Sequence, residues 1–206
     1  MTGGAPRPRP GGRSEIGIVN FALTRLVGLA TGGRPPNVFT TLARHRRLFR
    51  RWLRFAGALM PGGLLPRADS ELVILRVAAN CHCEYEWLHH ERLGRIAGLS
   101  QAEVQRVRQG PDADGWSPRR RRLLRGVDEL HAERTISAGL WSELRLELGE
   151  RELIELCMLT GHYEMLAMTL NALAVAPDEL AVDPPAALRV AQRLLERRQA
   201  AGSARR

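Results

Sequence analysis

Apolar residues recur at helical intervals along almost the whole chain, and no segment shows the strict polar–apolar alternation of a half-buried strand. Ile16 to about Ala30 forms one apolar stretch, closed by Gly32-Gly33 and Pro35-Pro36. A second stretch, from about Asn37 to Met60 with a break near His45, places Leu48, Trp52, Phe55 and Leu59 on one face, and Pro61-Gly62-Gly63 stops it. Asp69 or Ser70 suits the N-cap of a helix from Glu71 to about Asn80, whose run Leu72-Val73-Ile74-Leu75 reads as buried on most sides. A helix from about Cys83 to Ala97 ends at Gly98, and Ser100-Gln101-Ala102-Glu103 is a capping box opening a short helix to about Arg108. Ser117-Pro118 puts a cap and an N1 proline in the right order for the next helix. Further helices are predicted over about Ser137–Leu148 and Glu150–Val175, with a charged one after Pro184-Pro185. The pattern predicts an all-α protein.

The helices contain an internal echo. Glu71-Leu72-Val73-Ile74-Leu75 matches Glu152-Leu153-Ile154-Glu155-Leu156, and Arg46-Arg47-Leu48-Phe49-Arg50 matches Arg121-Arg122-Leu123-Leu124-Arg125. Tyr85-Glu86 and Tyr163-Glu164 match in the same order. Two degenerate copies of a helix-pair unit, over about 40–110 and 117–176, are the economical reading. On this reading residues 1–13 are a disordered Pro/Gly/Arg-rich arm, 14–180 one domain, and 181–206 a charged helix and tail.

Composition narrows the classes. The chain has 206 residues, 44% of them hydrophobic but only 5% aromatic, so its core is built mainly from Leu, Ala, Val and Ile. Net charge is +9, yet all 31 basic residues are Arg, which points to compositional bias more than to a polyanionic partner. Six Arg within 44–54 and five within 119–125 carry no interleaved aromatics or recognition-helix pattern, and solvated faces or pairing with Glu are favoured over nucleic acid. Three cysteines make no disulfide framework and point to a reducing compartment. No apolar run reaches the ~18–20 residues that cross a bilayer. Arg7, Arg9 and Arg13 before Ile16–Leu23 imitate an export signal, but Arg25 interrupts the stretch and no good cleavage site follows, so a cytoplasmic location is expected.

Polar chemistry concentrates in Asn80–Glu91. On a helix running from Cys83, that residue shares a stripe with Glu86, His90 and Gly94, flanked by Trp87. Glu86 and His90, four apart, can hydrogen-bond, and a carboxylate beside an imidazole raises its pKa and fixes its tautomer, which suits acid–base work. A solvated surface pair fits the same spacing. His82, His89 and Tyr85 fall on the other side and read as surface or subunit-contact groups. Cys81, Cys83, His89 and His90 are zinc-ligand types without paired-ligand spacing, so no metal or cofactor is expected. Cys157 reads as core.

The arrangement Asp69-Ser70-Glu71-Leu72, a helix to Asn80, Tyr85-Glu86-Trp87-x-x-His90 and Gly98-Leu99-Ser100 resembles the carboxymuconolactone decarboxylase family, which includes the alkylhydroperoxidase D (AhpD) proteins. Asp128-Glu129-Leu130-His131 and Thr160-Gly161-His162-Tyr163 resemble its extended two-repeat members. The resemblance implies an AhpD-like helical bundle, homo-oligomers (trimers or their multiples), and a site where the motif helices meet. The AhpD branch carries a glutamate, a C-x-x-C starting twelve residues on, and a histidine seven residues after its first cysteine. Glu71, Cys83 and His90 match those positions, but Glu86 replaces the second cysteine and removes the dithiol. Glu86 and His90 match the Glu-x-x-x-His of the decarboxylase branch. The second repeat offers no histidine at either alignment, so one constellation per chain is expected.

The resemblance therefore implies acid–base chemistry on a small carboxylic acid or lactone, with Glu71, Glu86 and His90 catalytic and Tyr85, Trp87, His162 and Tyr163 lining the substrate site. A one-cysteine peroxidase using Cys83 is the alternative: a nearby imidazolium favours its thiolate, and Glu86 opposes it. A non-catalytic helical module is a further alternative.

Overall fold

The most apolar run in the chain becomes its central helix. Leu72, Val73, Ile74, Leu75, Val77 and Ala78 point around the whole circumference of one helix, and all are buried. A helix with no polar side must be surrounded. The computed structural model describes residues 7–31 and 34–178, and all regular elements among them are helices. They are α1 (Arg13–Ile16), α2 (Ile18–Thr31), α3 (Asn37–Leu42), α4 (Arg46–Leu59), α5 (Arg67–Asn80), α6 (Glu84–Ile96), α7 (Gln101–Gln109), α8 (Pro118–Glu133), α9 (Ala138–Leu144) and α10 (Glu150–Leu173). The charged helix expected after Pro185 lies outside the described residues, as do residues 1–6.

Helix α5 packs against α6, α7, α8 and α10. One side joins Val73, Ile74 and Val77 to Leu123 and Val127 of α8 and Leu156, Leu159 and Leu166 of α10. The other joins Leu72, Leu75 and Ala78 to Trp87, Leu99, Val104, Val107 and Trp116. Gly94 lets α6 approach closely: a Cβ there would meet Leu99 Cδ1 at 3.0 Å and Glu71 Cβ at 3.6 Å. That approach brings the His90 turn of α6 onto Glu71.

Several helix starts follow the sequence signals. The Ser100 hydroxyl accepts from the Glu103 N–H at 3.2 Å, while Glu103 accepts from the Ser100 N–H at 2.9 Å. Ser117 caps α8 with Pro118 behind it, Ser137 caps α9, and His45 marks the expected break by capping α4. Other boundaries differ. The stretch from Ile16 splits at Gly17, whose φ of +79° ends α1. Helix α5 starts at Arg67 behind Pro66, one turn earlier than the capping pattern suggests. Asp69 and Ser70 are therefore inside it and buried, Asp69 accepting from Arg119 at 2.8 Å. Helix α6 begins at Glu84, not Cys83: the chain reverses through Cys81-His82-Cys83, with His82 in the left-handed region at φ +49°. Helices α9 and α10 stop at Leu144 and Leu173. Cys157 is half-buried instead of core.

The paired motifs also differ in setting. Tyr85-Glu86 opens the separate helix α6, whereas Tyr163-Glu164 lies inside the unbroken α10. Residues 7–12 run beside α3, with the Gly11 N–H donating to the Thr40 carbonyl at 3.1 Å. Four of the five Arg in the second cluster are met within the chain: Arg119 and Arg120 by Asp69, Arg120 also by Glu103, Arg122 by Glu143 and Glu147, and Arg125 by Asp112.

Candidate active site

Four charged groups meet where α5 faces α6. Glu71, with none of its surface exposed, lies between Arg67 Nη2 at 2.6 Å, one turn back on α5, and His90 Nδ1 at 2.7 Å. The other ring nitrogen, His90 Nε2, lies 3.2 Å from Glu86 Oε2, one turn back on α6. Two (i, i+4) pairs on adjacent helices thus make the row Arg67–Glu71–His90–Glu86. Burial pushes the His90 imidazole toward its neutral form. The Glu71 charge and hydrogen bond, with those of Glu86, outweigh it and raise the pKa to about 9. With His90 as imidazolium the row is electrically neutral, which is how four ionic groups tolerate burial.

Aromatic rings close one side of the row. Tyr163 of α10 stands edge-on to His90 with ring centroids 5.1 Å apart, and His162 stands edge-on to Tyr163 at 5.2 Å. His162 stacks on Trp52 at 6.1 Å and meets Phe55 of α4 at 5.2 Å. Burial lowers the pKa of His162, so it is neutral at pH 7. His162 Nδ1 and Trp52 Nε1 are buried without a hydrogen-bond partner among the described residues. Such groups are costly unless something else satisfies them.

Of the residues proposed from sequence, Glu71, Glu86 and His90 come together, with Tyr163 and His162 beside them. Tyr85 and Trp87 do not join them. The Tyr85 hydroxyl accepts from the Val38 N–H at 3.0 Å and donates to Asp178, which also bonds His89 Nε2 at 2.9 Å. Trp87 is buried among Leu72, Leu75 and Leu99, with the Arg108 guanidinium over its ring at 3.7 Å. Cys83 does not extend the stripe. As the N-cap of α6 it has extended backbone geometry, and its side chain is buried in the cluster shared by α5, α8 and α10. Burial pushes its thiol up to about 11, aided by the charges of Glu86 and Glu84, against the lowering effect of backbone N–H groups of Glu86 and Tyr85. Arg76, on the same helix as Glu71, is bidentate to Asp128 at 2.6 and 2.8 Å and is structural. The zinc-type set Cys81, Cys83, His89 and His90 is not assembled, because His89 turns to Asp178 and His90 to the two glutamates.

Arg67 was missed from sequence, although its (i, i+4) spacing from Glu71 is the same signal that marks Glu86 and His90. The spacing of Trp52 marks it only as part of an apolar face; nothing local reveals that its partner ring lies on α10.

Residues 46–129, which contain the whole ionic row, match the carboxymuconolactone decarboxylase family. That match over 84 of the 206 residues supports a carboxymuconolactone decarboxylase/AhpD-like family member. No curated protein matches the sequence. The AhpD-like fold recurs in solved structures. An uncharacterized peroxidase-related protein of Ralstonia eutropha JMP134, described as an alkylhydroperoxidase AhpD core, aligns at TM-score 0.74 and 20% identity, over 88% of this chain and 100% of that one. A peroxidase-related protein of Silicibacter sp. TM1040 aligns at 0.74 and 16%, over 87% and 95%. The debrominase Bmp8 aligns at 0.70 and 15%, over 92% and 97%. The family match and the AhpD-like fold together support a decarboxylase- or peroxidase-like family without naming the reaction.

Proposed function

We propose that the protein is an acid–base enzyme acting on a small, unsaturated carboxylic acid or lactone, with His90 and Glu86 handling the proton. The observation that carries this reading is the imidazole held between two carboxylates, Glu71 at 2.7 Å and Glu86 at 3.2 Å. Glu71 already faces both Arg67 and His90, so it acts as the fixed anchor that orients the ring and keeps it protonated. Glu86 has His90 as its one charged partner within ion-pair distance among the described residues, and lies beside the aromatic groups; it is the carboxylate that meets substrate. Loss of CO2 leaves an electron pair on carbon; the His90 imidazolium passes its proton by way of Glu86 to that carbon and takes a replacement proton from solvent, which leaves Glu86 a carboxylate again. Trp52, Phe55, His162 and Tyr163 suit a flat substrate, and Trp52 Nε1 and His162 Nδ1 are the polar groups left to orient it. The homo-oligomer belongs to the same reading: Ile154, Met158, Met165 and Met168 form an exposed apolar stripe on α10 that suits a second copy of the chain.

The test is a screen of small keto acids, enol acids and lactones for CO2 release or ring opening. Glu86→Gln and His90→Gln should each lower turnover about 100-fold or more, while Cys83→Ser should leave it within a few fold. Absence of such turnover, together with peroxide consumption abolished in Cys83→Ser, would replace this reading with the thiol peroxidase.

A further inference from the structure

A second set of reactive side chains lies outside the ionic row. Cys81, in the turn between α5 and α6, His131 near the end of α8, and Glu164 in the middle of α10 bring Sγ, Nδ1 and a carboxylate oxygen within 4.8 Å of one another. Fifty and thirty-three residues separate them in sequence, and three different helical segments supply them. Each is held from behind. The Asn171 side-chain amide, two turns beyond Glu164 on α10, donates to the Cys81 carbonyl at 3.0 Å and fixes the turn. His131 follows Asp128 by one turn on α8, and Asp128 is gripped by Arg76 and by Asn80 at 2.8 Å. Glu164 Oε2 accepts from Arg134 at 3.0 Å, which leaves Oε1 facing His131 Nδ1 at 2.6 Å.

We propose that Cys81, His131 and Glu164 form a binding site for a thiophilic divalent cation, Zn2+ foremost, with solvent completing the coordination. A thiolate, an imidazole and a carboxylate are the ligand types zinc takes, and the sulfur disfavours Mg2+ and Ca2+. A tetrahedral ion with bonds of about 2.0–2.3 Å holds its ligand atoms roughly 3.3–3.8 Å apart. His131 Nδ1, now 2.6 Å from Glu164 Oε1, would draw back to that spacing when the ion replaces their shared proton. Thiolate and carboxylate together neutralise the dication, and Arg134 remains on the second carboxylate oxygen as an outer partner that orients Glu164. Three protein ligands and a partly exposed rim leave one position for water. On binding, the Cys81 thiol gives its proton to solvent and the sulfur bonds the metal. His131 binds through Nδ1 as the neutral ring with its proton on Nε2. Without an ion the thiol is held protonated, chiefly by burial and next by the Glu164 charge, at about 11.

The site is independent of the ionic row, and its test does not depend on any activity. Untagged, chelator-treated protein is titrated with Co2+ and followed by absorption. One equivalent per chain should produce a sulfur-to-cobalt charge-transfer band and four-coordinate visible bands, and Zn2+ should bleach both. Cys81→Ser should abolish the charge-transfer band. His131→Gln and Glu164→Gln should each weaken binding at least about tenfold, and Cys157→Ser should change nothing. In wild type, one equivalent of Zn2+ should protect Cys81, and not Cys157, from alkylation mapped by mass spectrometry; this reads the site even if a Cys81 variant fails to fold. No saturable band with stoichiometric Co2+, a band that survives Cys81→Ser, or alkylation of Cys81 indifferent to Zn2+ would overturn the proposal.

Discussion

His90 is the residue on which the ionic row turns, because its two nitrogens are committed to carboxylates on different helices. Its folded pKa of about 9 lies above the ordinary value of 6.5. The stability it contributes is therefore fully present below about pH 6.5 and is lost as pH rises through about 9. Urea titrations of wild type between these values should show declining stability, and His90→Gln should flatten that dependence. Removing the anchor has a different signature. Glu71→Gln leaves the imidazole with Glu86 alone, so the alkaline limb of any His90-dependent activity should move to lower pH, with the ring titration followed by NMR. A profile unmoved by Glu71→Gln would mean that Glu71 does not control the proton. Half of this row was legible from spacing, since Glu86–His90 is an (i, i+4) pair, and Glu71–His90 came from the family resemblance. What was not legible is long-range: Cys81 meeting His131 and Glu164, or Asp178 meeting Tyr85, leaves no local pattern.

At the scale of elements, α5 depends on one close approach and one lateral tie. Gly94→Ala would drive a methyl to 3.0 Å from Leu99 Cδ1 and press α6 away from Glu71. A loss of about 1–3 kcal/mol in denaturant unfolding is expected, with His90 losing contact with Glu71 before the fold is lost. Arg76 joins three helices, from α5 to Asp128 on α8 and to the Val107 carbonyl on α7 at 2.8 Å. Arg76→Ala should cost about 1.5–3 kcal/mol, because it strips a partly buried carboxylate of its charged partner. A loss under about 0.5 kcal/mol would show that Asn80 and water suffice. Caps at Ser100 and Ser117 could be read from sequence because capping is a local hydrogen bond. The start of α5 could not: Asp69 has a cap's composition, but Arg119 from fifty residues away takes its carboxylate. Helical periodicity does not run through Cys83 for a related reason: His82 closes the turn with a left-handed backbone, and α6 begins at Glu84.

For the whole molecule, the exposed stripe of Ile154, Met158, Met165 and Met168 invites a partner. If a second copy covers it, Met165→Arg with Met168→Arg should reduce the oligomer to monomer in light scattering after gel filtration, with helicity retained. Unchanged mass would show that this stripe is not a subunit contact. No described helix is long and apolar enough to cross a membrane. The Asp178 contacts set a limit of another kind. This carboxylate, beyond the last described helix, accepts from the Tyr85 hydroxyl, from His89 and, at 2.9 Å, from the Asn37 N–H at the start of α3. A recombinant fragment trimmed at Val175 would keep every described helix yet strand three hydrogen-bond donors, so a fragment that keeps these bonds must run through Asp178, and protease nicking just before that residue should loosen α3 first.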